Sequence, residues 1–99
     1  MPIPTAIGMK KSAISGLGRI AGEKSLNALT NTLDSSPQLE LQKQAVISIG
    51  RRPKDEAIPI LIRTARNHPR VEVRKLAVQM LGQTRDERAA AFLNELLVK

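Results

Sequence analysis

The sequence predicts an all-α protein, a short α-solenoid (α-α superhelix) of three antiparallel helix pairs. Three observations lead there. The 99 residues align with themselves twice at a shift of 32. Within each unit, apolar residues recur at helical spacings of three and four. Between the apolar stripes stand glycine, proline and short polar residues, which end and start helices.

The repeat is explicit at linked positions. Lys11, Lys43 and Lys75 superpose, as do Ala13, Ala45 and Ala77. Ile14, Val46 and Val78 follow, then Leu17, Ile49 and Leu81, then Gly18, Gly50 and Gly82. Leu29, Leu61 and Leu93 close each unit, and upstream Ile7, Leu39 and Val71 match, with Met9, Leu41 and Val73. The chain reads as a single domain over residues 1–99, with units at about 5–36, 37–68 and 69–99.

Taken in order, unit one is the weakest. Gly8, Gly16 and Gly18 each lower helix propensity by ~1 kcal/mol against Ala, so fraying is expected near the N-terminus. In unit two, Ser36-Pro37 has the form of a serine cap with proline at the first helical position. Pro53 opens its second helix, and Pro59 is expected within about the first turn, with room for a kink. In unit three, Val71, Val73, Ala77, Val78 and Leu81 form one apolar stripe. Gly82 is expected to end that helix in the left-handed conformation. Thr84-Arg85-Asp86-Glu87 has the form of a capping box, and Ala89, Phe92, Leu93, Leu96 and Leu97 supply the last helix. Helices of about 12–14 residues would be about 18–21 Å long. The repeated Ala13, Ala45 and Ala77 suit places where neighbouring helices approach closely.

Val73-Arg74-Lys75-Leu76-Ala77-Val78-Gln79-Met80-Leu81-Gly82, followed by Asp86, Ala89 and Leu93, resembles the HEAT-like repeat, including its phycobilisome-lyase subtype. Unit two carries Gln42 in the Arg position and Asp55 one residue late; unit one carries Lys10, with Gly22-Glu23 in place of the Asp. The resemblance spans about residues 5 to 98. It implies a helical repeat scaffold and says little about the partner, because such repeats serve many.

Composition narrows the chemistry. With no cysteine, disulfides, thiolate zinc sites and a Cys nucleophile are excluded. One histidine excludes a His-rich metal cluster, and Phe92 is the only aromatic residue. Enzymatic relatives that handle bilins or damaged DNA need aromatic walls and placed acids that this chain lacks. Gly16 to Gly22 resembles a nucleotide loop, but an amphipathic helix stands where a strand is needed. Lys10-Lys11-Ser12 lacks the glycines of a phosphate loop. His68 falls in the turn between units two and three, where a solvent-exposed or capping role is expected. Asp55, Glu56, Asp86 and Glu87 lie at helix starts, where they complement the helix dipole. No catalytic residue, cofactor or metal ligand is expected, and the chain is not expected to be an enzyme.

The leading expectation is a non-catalytic protein–protein interaction scaffold. Its partner should lie on the surface of the second helices, usually the concave one, near Lys24, Asn27, Asn31, Glu56, Arg63, Arg66, Arg88 and Glu95. Sixteen Lys and Arg against nine Asp and Glu leave a charge of +7, which favours acidic partners. The alternative is therefore an electrostatic nucleic-acid-binding module, with Lys10, Lys11, Lys43, Arg74 and Lys75 as a ladder on the first-helix face. Without interleaved aromatics, that ladder does not stack single strands. A second basic group (Arg19, Lys24, Arg51, Arg52, Lys54, Arg85 and Arg88) is offset by Glu23, Asp55, Glu56, Asp86 and Glu87. The longest apolar run, Ala89 to Leu93, is far short of the ~20 residues of a membrane span, and Met1-Pro2-Ile3-Pro4 is unlike a signal peptide. A cytoplasmic location is expected. Finally, Phe92, Leu93, Leu96, Leu97 and Val98 overload the last helix, relieved only by Asn94, Glu95 and Lys99. This end is expected to meet another surface, either a second copy of the chain, as a homodimer through that helix, or a neighbouring unit of a longer parent chain.

Overall fold

The computed structural model describes residues 6–98, side chains from residue 8; the leader reading at Met1 to Pro4, the repeat role of Ile7 and the relief at Lys99 lie outside these described parts. Six helices follow one another: α1 (Ala6–Leu17), α2 (Glu23–Ser35), α3 (Leu39–Gly50), α4 (Lys54–Asn67), α5 (Val71–Thr84) and α6 (Glu87–Val98). Among the described residues there is no strand. The helices run 12 to 14 residues, and the molecule measures 53 × 27 × 20 Å. The all-α repeat expected from the 32-residue period is the observed fold.

Apolar stripes close around α3 and α4. Ala45, Val46, Ile49, Ile58 and Leu61 are fully buried, joined by Leu29 and Leu33 from α2 and by Val73 and Ala77 from α5. The first helices α1, α3 and α5 pack on one another in succession. The closest antiparallel packing lies between α2 and α3 and between α4 and α5, across the expected unit boundaries. A period fixes how far apart equivalent residues lie; it does not fix where a unit starts. The second helices α2 and α4 make no close backbone approach, so their layer is the wider-spaced one.

Several helix ends use other devices than the sequence suggests. Gly82 lies inside α5, and Arg85, at φ 54°, supplies the left-handed residue that stops the helix. Gly18 follows α1, and Gly50 is the last residue of α3; neither has positive φ. At Gly18 the constraint is proximity, since a Cβ would stand 2.9 Å from that of Ser48. The residue that does need glycine's freedom is Gly22, at φ 119°, before α2.

Ser36 and Pro37 do not start α3. The helix begins at Leu39 after Gln38, and Ser36 Oγ accepts from the Gln38 amide at 3.3 Å. Pro53 immediately precedes α4, and its carbonyl accepts the Glu56 and Ala57 amides, so it opens that helix as expected. Pro59 is the sixth residue of α4, beyond the first turn, and the helix continues through it on an exposed face. The capping box at Thr84 does not form either. Thr84 belongs to α5 and its hydroxyl donates back to the Leu81 carbonyl at 2.7 Å. Asp86 caps α6 instead, Oδ1 accepting the Arg88 amide at 2.8 Å.

Candidate functional site

Polar side chains between the helices fall mostly at joints between successive units. Arg52, 5% exposed in the α3–α4 turn, reaches the α1–α2 turn. It donates to the carbonyl of Ile20, to that of Gly22 at 2.9 Å and to Glu56 Oε1 at 2.8 Å, while its Nε has no partner. A buried guanidinium is tolerated because carbonyls and a carboxylate surround it.

A second joint gathers at the end of α2. The Leu33 carbonyl accepts from Gln42 Nε2 at 3.1 Å and pairs with His68 Nε2 at 2.9 Å. His68 Nδ1 accepts the Arg70 amide at 3.1 Å, which makes the ring the Nε2–H tautomer. Of the two roles expected at this turn, exposed or capping, His68 takes the second: it is buried, accepts the amide just before α5 and ties it to α2. Arg74 Nη1 donates to the His68 carbonyl at 2.6 Å. Gln42 and Arg74 are equivalent in the repeat, and both satisfy a carbonyl at the C-terminal end of the second helix before them.

The second helices are linked by ion pairs. Asp34 of α2 meets Arg63 of α4 at 3.4 Å, and Arg66 of α4 meets Glu95 of α6 at 2.7 Å. Both pairs span 29 residues, so the same rung occurs twice with its charges exchanged. Arg66 also lies 4.9 Å from the centre of the Phe92 ring. Arg88 bridges Asp55 at 3.1 Å and Asp86 at 3.0 Å. Hydrogen bonds from the Arg88 side chain, then its amide, hold the Asp86 carboxyl at about 2, below its ordinary 3.8, and Asp86 in turn raises Arg88.

Of the eight residues expected on the partner surface, Arg63, Arg66, Arg88 and Glu95 are exposed yet joined in these rungs. Glu56 is half-buried and turned to Arg52. Lys24, Asn27 and Asn31 on α2 are exposed. The first-helix ladder is interrupted. Lys11 pairs with Glu40 at 3.6 Å, and Arg74 is turned onto the His68 carbonyl, leaving Lys10, Lys43 and Lys75.

The sequence reading missed Asp34 and the joint roles of Gln42 and Arg52. The 29-residue spacing of opposite charges was the available signal for Asp34. For Arg52 the sequence offers only the i,i+4 spacing to Glu56, because its other acceptors are backbone carbonyls.

Two of the grooves open against α2. One of about 150 Å3 lies between α2 and α4, lined by Asp34, Arg63, Thr64, Asn67, His68 and Pro69. The other, about 440 Å3, is more apolar and lies on the outer side of unit one, against Lys10, Ala13, Ile14, Asn31, Ser35 and Leu41.

Among comparisons with known proteins, the family model for HEAT repeats matches residues 26–99. That match is to the repeat in general and does not single out the phycobilisome-lyase subtype. Neither curated proteins nor solved structures give a match.

Proposed function

The chain belongs to the HEAT-repeat family, and from that premise we propose that it is a non-catalytic scaffold module, a single domain over 1–99, that holds a protein partner on the surface of its second helices. HEAT repeats generally serve as protein-interaction scaffolds and are typically non-catalytic. The observation that carries this reading is the ladder of rungs from Asp34–Arg63 to Arg66–Glu95, which aligns α2, α4 and α6 as one continuous surface. Paired charges of both signs, with Lys24, Asn27 and Asn31 beside them, suit a polar protein surface better than a polyanion. No helix among the described residues is long and apolar enough to cross a membrane. A cytoplasmic location is part of this proposal and rests on the cysteine-free composition.

Photo-crosslinking from Asn27 and Asn31, with Lys75 as the opposite-face control, tests the proposal. A discrete protein adduct from the two α2 positions, absent from Lys75, is the expected result. Adducts from Lys75 alone would overturn it.

The nucleic-acid reading retains the +7 charge and the uncommitted Lys10, Lys43 and Lys75. It predicts duplex binding that falls steeply with salt and is weakened by Lys43→Ala and Lys75→Ala. With Lys11 held by Glu40 and Arg74 turned inward, that face offers fewer phosphate contacts than its sequence count.

A further inference from the structure

The positions that join unit to unit inside the molecule are uncovered at its two ends, and there they are apolar. Leu41 and Val73 are 4% and 0% exposed, whereas their equivalent Met9 is 63% exposed. Ala45 and Ala77 are fully buried; Ala13 is exposed beside the 440 Å3 groove. At the other end, Leu33 is fully buried and its equivalent Leu97 is 85% exposed, next to exposed Leu96 and Val98. An outward-facing unit of a repeat array stays soluble through a polar outer face, and the described outer sides of α1 and α6 expose these apolar residues instead.

We infer that the two ends are the two halves of the internal joint, and that copies of this chain stack head to tail, α6 and the end of α5 of one copy against α1 and α2 of the next. The repeat supplies the register. Gly18 lies against Ser48 and Gly50 against the equivalent Met80, while the third glycine of the set, Gly82, meets nothing. Continuing the register sets Gly82 opposite Gly16 of the next copy, which is equally open. The Asp55–Arg88 pair recurs one unit on as Glu87 with Lys24 of the next copy, again of opposite charge. Lys10 is the equivalent of Gln42 and Arg74, whose donors satisfy carbonyls at the end of the preceding second helix. In the stack that preceding helix is α6, whose last carbonyls have no intrahelical partner. Leu97 then covers the apolar groove along Ala13 and Ile14. A twofold pairing of two α6 helices would bury Leu97 but leave the groove, Gly82 and Lys24 unused.

A head-to-tail joint does not consume itself, so growth is open-ended unless a ring closes. Sedimentation of the full chain from micromolar to millimolar concentration should show weight-average mass rising beyond a dimer. Ala13→Glu and Leu97→Glu each place a charge on one half of the joint, at exposed positions that leave the helical circular dichroism intact. Each alone should weaken association about tenfold or more. Mixed in equal amounts, they should form a one-to-one dimer and stop, because each keeps the half the other has lost. Glu87→Lys should weaken association about two- to fivefold, restored by mixing with Lys24→Glu. A chain that stays monomeric overturns the inference. So does abolition by Leu97→Glu with Ala13→Glu still associating like the parent, which is the signature of twofold α6 pairing.

Discussion

The middle unit and the last unit carry the same sequence pattern and bury it differently. Leu61 and its equivalent Leu29 are fully buried, each on a second helix packed between two first helices, α4 between α3 and α5 and α2 between α1 and α3. Leu93, the same position in the last unit, is half-buried, and Leu96, Leu97 and Val98 beyond it are exposed. Position in the array, not residue type, sets how much a leucine contributes. Interior units are held by neighbours, end units by what their own sequence can arrange.

The largest expected effect tests that difference directly. Leu61→Ala should destabilise the protein by about 2–5 kcal/mol, a lost buried side chain plus the cavity it leaves. Leu97→Ala should change chemical denaturation of the monomer by no more than about 0.5 kcal/mol. Equal losses at both positions would break the comparison.

The glycines sharpen it. Gly18→Ala puts a Cβ 2.9 Å from Ser48 Cβ and 3.0 Å from its carbonyl oxygen, in the joint between α1 and α3. Overpacking of this kind costs about 1–3 kcal/mol. Gly82→Ala meets open space inside α5, so helix propensity should raise stability by about 1 kcal/mol or less. Thermal melts of the two variants should therefore shift in opposite directions, although the residues are equivalent in the repeat.

This contrast also explains what could be read in advance. The helices and the core were legible because they depend on periodic burial, and Val46, Ile49, Leu61 and Ala77 all lie where the pattern put them. Pro53 opens α4 as expected, and Phe92, one of the apolar residues crowding the last helix, is buried. Helix ends were less legible, since Thr84, Asp86 and Ser36 are each able to cap and only the path of the chain selects among them. Gly82 shows the same limit: a residue suited to ending a helix does so only where the next turn departs, and here that is Arg85. Of the candidate surface, the exposed charges were readable but their partners were not. Arg63 and Arg66 looked available for a partner, and each is engaged across to the neighbouring unit, with Asp34 and Glu95. His68 looked solvent-exposed or capping, and the end of α2 folded against it excludes the first.

The smallest expected effect concerns acid. With few neighbours, α6 relies on a local device at its start, the Asp86 carboxylate accepting the Arg88 amide and guanidinium. Folding holds the Asp86 carboxyl at about 2, below its ordinary 3.8, chiefly through the Arg88 hydrogen bonds. A folded-state value below the unfolded one means the unfolded chain takes up the proton first as pH falls. The stabilisation is therefore complete above about pH 4 and drains away as pH drops toward 2. Asp86 is half-buried and held by Arg88 alone among side chains, so the change should be small and confined to α6. Amide hydrogen exchange resolves it: protection in the first turn of α6 should fall between pH 4 and 2, after correction for the intrinsic rate, while α3 keeps its protection. Asp86→Ala should remove that acid limb and leave α6 less protected at neutral pH. If α3 and α6 lose protection together, the two regions open as one unit, and the distinction between an interior held by neighbours and an end held by its cap does not hold.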